Sequence, residues 1–365
     1  MHALAQILWF ALGIGLILLV FDSVIRTFVL PRAASPLVTR SVFIAVRSCF
    51  NLVARAARTY NGRDSVMSLF GPVGLLALPA AWSLMILAAY TVMFHASGVR
   101  GFERAFEMSG SSLFTLGFVR PPDLPTNVLA FLEAATGLTV LGLLIAYLPT
   151  IYAAFSRREV LVAQLEVRAG NPPSGLHLLV QSQRMERFHL LDDFWVTWQQ
   201  WFTELEETHT SLGVLSFFRS PQGHRSWVTA SGAVLDGASL RLAAVDLPFD
   251  PEAGICVRAG FFALRAIADY YGIPYDPDPQ RGDPISIAKD EFFQACDELV
   301  EAGIPVRAER EEAWLDFTGW RVNYDVPLLA LAGFIMTPYA PWSSDRSFRF
   351  RRATLRRRSP PRPDF

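Results

Sequence analysis

The chain has 365 residues, a formal net charge of −1 and a mean hydropathy of +0.28, with 52% of its residues hydrophobic. That length holds two domains of ordinary size, and the hydropathy is high for a protein that is soluble throughout. Cys49, Cys256 and Cys296 lie far apart without CxxC or Cys/His ligand spacing, which excludes a disulfide framework and a zinc signature.

The apolar excess sits in the first 155 residues, and three stretches meet the length that a membrane core demands, roughly 20 apolar residues for about 30 Å. The first is Ala3–Val20, continued by Phe21–Leu30. No basic region precedes it and no small-x-small site follows, so it reads as an anchor rather than a cleaved leader. Gly71–Ala96 and Asn127–Phe155 are the second and third, and neither contains lysine or arginine.

Between the first two spans, arginine recurs at 26, 32, 40, 47, 55, 58 and 63, which places that linker in the cytoplasm by the positive-inside rule. The N-terminus is then outside, and everything after Arg157-Arg158 is cytoplasmic. The spacing of Arg40, Arg47, Arg55 and Arg58 does not match a voltage-sensing helix. It suits an interfacial amphipathic helix over anionic lipid. Asp22 and Arg26 are placed to pair at i,i+4.

Ser97–Thr126, between the second and third spans, holds an apolar run too short to cross. Phe102–Met108 starts a helix that continues through Phe114, Gly117 interrupts it, and Arg120-Pro121-Pro122 forces an extended exit. A short helix that enters and returns on one side is re-entrant, and such backbone survives at membrane depth only beside protein or a water-filled cavity.

Span, short helix, Thr-x-Gly-aromatic and span resembles the two-helix pore module of potassium channels. The matching stretch is Ser109-Gly-Ser-Ser-Leu-Phe-Thr-Leu-Gly-Phe-Val-Arg120, and the resemblance covers roughly Ser68–Arg158. Asp22–Arg32 and Arg219–Asp236 also look like segments of bacterial ion-channel-family membrane proteins. The resemblance implies a homotetramer in which Thr115, Leu116, Gly117 and Phe118 line the constriction through backbone carbonyls and the threonine hydroxyl, with a monovalent ion permeating. It departs at Val119, where the family has glycine, and at Arg120, where it has aspartate. A ring of arginines at the mouth repels cations, so strict potassium selectivity is not expected.

Ser111 and Ser112 are the expected support on the pore helix. Glu133, an acidic residue inside a span, is a functional candidate by default, or it bonds to those hydroxyls. Gly137, after Thr136, is a site where such inner helices bend. Pro149 either kinks the third span as a gate or marks its end before Tyr152.

From Glu159 onward helical patterns alternate with Pro/Gly punctuation: Leu176–Leu212, Ser226–Leu247, Pro251–Tyr271, Ile285–Ala302, Arg310–Trp320 and the short apolar Val326–Thr337. Phe194, Trp198, Trp201 and Leu205 form a core stripe. Ser286 is expected to open the helix that holds Asp290 and Glu291. His209 is expected to be a solvated helix-end residue, and Asp236 a buried partner for Arg219 or Arg225. The Asp276–Asp283 loop lacks the order of an EF-hand. No dinucleotide fingerprint, Walker sequence, HExxH or GxSxG is present, so no enzyme and no cofactor is expected, and nothing suggests nucleic-acid binding.

The expected fold is therefore an all-α membrane protein with three transmembrane helices and a re-entrant pore loop, followed by an α-helical cytoplasmic domain. Its divisions are an N-terminal span at 1–32 and a basic amphipathic linker at 33–66. A pore module follows at 67–158 with its re-entrant loop at 102–120, then a helical cytoplasmic domain at 159–342. A disordered arginine-rich tail at 343–365 lies against the anionic inner leaflet of a bacterial plasma membrane. The competing expectation is a non-conducting scaffold or sensor that keeps the pore fold for tetramerisation.

Overall fold

The computed structural model describes residues 2–28, 36–56 and 60–347. Among them are thirteen α-helices and no strand; Val245 and Val306 make one isolated antiparallel bridge. The chain divides into two compact units, residues 1–161 with 203–223, and residues 162–202 with 224–365.

In the first unit α1 (His2–Phe28), α2 (Leu37–Ala56), α3 (Tyr60–Ser68), α4 (Phe70–Ala96), α5 (Phe102–Leu113) and the greater part of α6 (Leu124–Ala169) pack together. Four stretches are long and apolar enough to cross a membrane: Ala3–Phe28, Leu37–Ala54, Gly62–Ala96 and Leu124–Ala169. Leu37–Ala54 is one more than the arginine-weighted reading counts, because Arg40 and Arg47 interrupt a helix that is otherwise apolar.

Helix α1 lies close on α4 because Gly13 has no side chain: a Cβ there would stand 2.8 Å from the Ala89 carbonyl. Val20 and Val24 join Leu78, Trp82, Ile86 and Phe94 in the core. A polar pin runs through it, with the Trp82 indole N–H donating to Ser23 (3.0 Å) and the Ser23 and Thr27 hydroxyls meeting Thr39 at 3.0 and 2.8 Å. Asp22 pairs with Arg26 as its i,i+4 spacing predicts.

Helix α6 does not stop near Pro149 or at Arg157-Arg158 but runs 46 residues to Ala169. The continuation repeats the helical period, since Val162 and Leu165 stay buried one and two turns beyond Arg158.

The second unit is built round α9 (Trp227–Ala243), where every residue but Arg241 is buried. A helix surrounded on all sides must be small where neighbours cross it. A Cβ on Gly175 of α7 (Gly175–Arg184) would lie 2.3 Å from the Gly237 amide nitrogen, and one on Gly260 of α10 (Pro251–Tyr271) 2.4 Å from a Leu235 methyl. Around α9 stand α7, α10, α12 (Arg310–Arg321) and α13 (Asp325–Ile335), with α11 (Lys289–Glu301) beside α7 and α12.

Leu176–Leu212 is not one helix. The chain leaves α7 at Met185, Glu186 takes φ +57°, and α8 (Leu191–Ser211) starts afresh. Phe194, Trp198, Trp201 and Leu205 are buried as the spacing requires.

Asp236 is buried, but its cation is Arg321, not Arg219 or Arg225. Arg321 Nη1 donates to Asp236, Nε donates to Asp325 (2.8 Å), and Nη2 donates to the Trp342 carbonyl (2.5 Å). The Tyr324 hydroxyl donates to Asp236 at 2.9 Å. Ser286 does not cap α11, because its amide and hydroxyl both donate to Asp325 (2.9 and 2.7 Å); Glu291 instead accepts the Ala288 amide at 2.8 Å.

Ser343–Ser347, assigned from sequence to the tail, is built onto this unit, with Ser343 buried and Arg346 paired to Glu291. Residues 348–365, and with them the rest of the expected basic tail, lie outside the described residues, as do Arg32 and Arg58 of the linker.

Candidate pore-loop site

Helix α5 opens after Gly101 at φ +87° with Glu103 in its first turn, where a negative charge suits the helix dipole. Ala105, Met108, Ser109, Ser111 and Leu113 form its buried face; Glu107, on the opposite side, is exposed. The helix ends at Leu113, and the chain turns back over its last turn. Thr115 takes φ +54° and Gly117 φ +70°. For glycine that geometry is free, whereas for a β-branched threonine it is strained and needs the surroundings to hold it.

Ser111 holds it. The amides of Leu116 and Gly117 donate to the Ser111 carbonyl at 2.8 and 3.3 Å, and the Val119 amide donates to the Ser111 hydroxyl at 3.2 Å. The Thr115 amide donates to Ser112 O at 3.1 Å. With the amides drawn inward, the carbonyls of Thr115, Leu116, Gly117 and Phe118 accept no hydrogen bond among the described residues. Because the loop is exposed, that run of four carbonyls is left to solvent or to a neighbouring chain. The loop is exposed, Leu116 at 63% and Phe118 at 66%, while Val119 is half-buried and packs against the core.

Beneath the loop, α5 and α6 meet through two pairs set one turn apart. The Ser109 hydroxyl contacts both the Glu133 carboxyl and the Leu87 carbonyl of α4, the latter at 3.1 Å. Glu133 is fully buried, and its other carboxyl oxygen has no hydrogen-bond partner among the described residues. One turn on, a Cβ at Gly137 would lie 2.8 Å from the Leu113 carbonyl, so only glycine lets α6 approach the end of α5 this closely.

The residues singled out from sequence are thus drawn together unevenly. Ser111 is the seat of the loop. The Ser112 hydroxyl bonds back to Met108 of its own helix at 2.9 Å, and only its carbonyl, accepting the Thr115 amide, reaches the loop. Glu133 bonds a hydroxyl of α5, but that of Ser109, not Ser111 or Ser112. Gly137 is a packing point in an unbroken helix, and Pro149 lies exposed within the same helix, away from the loop. Arg120 is exposed and forms no ion pair among the described residues.

Ser109 was legible in principle, since Ser109 and Leu113 share one face of α5, and Glu133 and Gly137 share one face of α6. His209 was misread: it is fully buried, not solvated. Among the described residues no group of three or more His, Cys, Asp or Glu is placed to hold a metal. No family model, curated protein or solved structure matches the chain.

Proposed function

We propose that the chain is a subunit of a homotetrameric, channel-like pore in a bacterial plasma membrane. It has three spans and a re-entrant loop, with the N-terminus outside and the helical domain after α6 in the cytoplasm. In this reading α2 lies at the inner interface, where Arg40 faces anionic headgroups.

The observation that carries the proposal is the open run of carbonyls from Thr115 to Phe118. Four such loops around an axis supply rings of oxygens that replace an ion's hydration shell. The surfaces of Leu116, Phe118 and the outward face of α6 (Leu138, Leu141, Ile145) are apolar and exposed in the single chain. Neighbouring copies and lipid cover them in the assembly. Val119, in place of a second glycine, leaves the outer half of the filter without its usual backbone freedom, and Arg120 sets positive charge at the mouth. The pore is therefore not strictly selective for potassium.

Reconstitution into liposomes tests this: the expected result is a tetrameric particle that passes a monovalent ion. A tetramer passing neither potassium, sodium nor chloride at any potential or pH tried would favour the scaffold reading, for which Val119 and Arg120 speak. A monomer in both detergent and nanodiscs would end the pore architecture itself.

A further inference from the structure

Far along α6 from the pore loop, roughly 50 Å from Leu124 at 1.5 Å per residue, one buried cation gathers a loop onto the helix bundle. Arg158 is 4% exposed. Its Nη1 donates to the Leu215 carbonyl at 3.0 Å, its Nη2 to the Phe218 carbonyl at 2.6 Å, and its Nε to Glu159 at 2.9 Å. Both carbonyls belong to the 3-10 turn Gly213–Phe217 and the residue that ends it.

That turn touches α2, α3, α4 and α6 of its own unit. Leu215 packs with Leu75 of α4 and with Ile151 and Ala154 of α6. The Phe217 ring meets Phe70 edge-on at 5.0 Å, and Phe218 lies 5.9 Å from Phe155. A Cβ on Gly71 would stand 2.9 Å from the Phe218 ring, so α4 keeps a bare patch where the turn sits. Arg219 pairs with Asp64 of α3.

His209 completes the group. Its Nδ1 is 3.0 Å from the Leu205 carbonyl, and a carbonyl can only accept, so Nδ1 carries the hydrogen. Nε2 therefore offers a lone pair, 3.1 Å from Arg158 Nη1. A proton on Nε2 would replace that acceptor with a donor and set two cations side by side in a buried site. Arg157 and Glu159 on α6, Glu204, Glu206 and Glu207 on α8, Arg47 of α2 over the Phe217 ring at 5.7 Å, and Asp64 with Arg219 are the other charged groups nearby. Arg157 is engaged with Glu204, Glu159 with Arg158, and Asp64 with Arg219.

We infer that Gly213–Arg219 is a releasable clasp on the base of α4 and α6, that Arg158 is its bolt, and that a proton taken from solvent onto His209 Nε2 opens it. The geometry supports this without the pore reading; only its consequence, a change in flux as the base of α4 and α6 is freed, rests on that reading. Burial and then Arg158 hold the imidazole well below its ordinary range, so the clasp stays shut at neutral pH. A depressed folded-state value means that the stabilising contribution is complete above the ordinary imidazole range and is lost as pH falls through the folded value.

Hydrogen exchange of the full-length protein in nanodiscs, corrected for intrinsic rates, tests it across an acid titration. The expected result is a cooperative loss of protection at Leu215 and Phe218 in the native chain, absent in His209→Gln, whose amide oxygen still accepts from Arg158. Arg158→Gln should show the open state already at neutral pH. A Ser216→Cys reporter in a Cys49→Ser background, otherwise native, should gain thiol reactivity over the same acid range, and it serves if the His209 variant fails to fold. Identical acid profiles in the native chain and His209→Gln, or a reporter that stays closed throughout, would overturn the clasp. Acid release without any change in flux would leave the clasp standing and count against the pore.

Discussion

Two buried carboxylates, one in each unit, meet opposite treatment. Asp236 sits in a group where every strong donor and acceptor is matched: Arg321 binds it, Tyr324 donates to it, Asp325 takes the second face of the guanidinium, and Ser286 satisfies Asp325. Among the described residues Glu133 is as deeply buried yet meets only the Ser109 hydroxyl, with one oxygen left over, directly under a loop whose carbonyls are open. Fully matched polar groups rigidify a core, and partly matched ones are costly unless a task retains them. The contrast separates a structural network from a candidate site without appeal to conservation.

The sharpest way to break the comparison is to unbalance the matched network. Arg321→Leu strands two carboxylates in the second unit, and removing one partner of a buried ion pair costs about 3–5 kcal/mol. Burial opposes the Arg321 charge, but Asp236 and Asp325 outweigh it and keep the guanidinium protonated. Thermal unfolding of the full chain should show the second unit melting early. A loss below about 1 kcal/mol would mean that the network is less buried in solution than its geometry states.

Next in size comes the close contact beneath the Thr115–Val119 loop. Gly137→Val forces a Cβ to within 2.8 Å of the Leu113 carbonyl, and overpacking of this kind costs about 1–3 kcal/mol. Because the clash falls on the last turn of α5, the loss should appear as weaker assembly in nanodiscs, with the melting of the second unit unchanged.

Thr115→Gly works in the other direction. A residue with a Cβ in left-handed backbone costs about 1–2 kcal/mol, and the extra unfolded-state freedom of glycine returns about 0.5–1 kcal/mol of that. The variant should gain roughly 1 kcal/mol or less in unfolding measurements while ion flux falls or changes selectivity. A variant with unchanged stability would show that the left-handed threonine stores no strain.

What could be read from the sequence follows the range of the forces involved. Helix α10 matches its expected limits, Pro251–Tyr271, because its ends carry their own signals: Asp250 caps it, Pro251 opens it, and Gly272 closes it at φ +65°. Helix α4 was equally plain, because apolar length alone defines it. The break at Met185-Glu186-Arg187 carried no glycine or proline and was missed. The extension of α6 past Arg158 was missed because paired arginines look like the end of a span, whereas tertiary bonds bury one of them. At the site, the half of the pattern written in one segment, Ser111 through Val119, was legible. The half that joins segments was not: Ser109 to Glu133 spans 24 residues and Asp236 to Arg321 spans 85. Side-chain type says that such a residue needs a partner and leaves open which one.

The smallest effect lies where a compositional reading was too coarse. Arg346 opens an arginine-rich stretch, and composition assigns the whole stretch to disorder. Yet Arg346 forks onto both Glu291 oxygens, Nη1 to Oε2 at 2.8 Å, and also donates to the Ser286 carbonyl at 2.7 Å. Glu291 in turn accepts the Ala288 amide at the start of α11. Bonding to Arg346 holds its carboxyl below the usual range. A lowered folded-state value gives stability that is present above the ordinary carboxylate range and lost as pH falls through the folded value. The pair is about a third exposed, so solvent screening keeps its worth below about 1 kcal/mol. Glu291→Gln should therefore leave the melting temperature nearly unmoved while speeding proteolysis after Arg346, and acid should do the same to the native chain. Equal cleavage rates in the two at neutral pH would show that Arg346 belongs with the tail after all, as its composition suggests. A faster rate in the variant would mark Glu291 as the point where the folded domain ends.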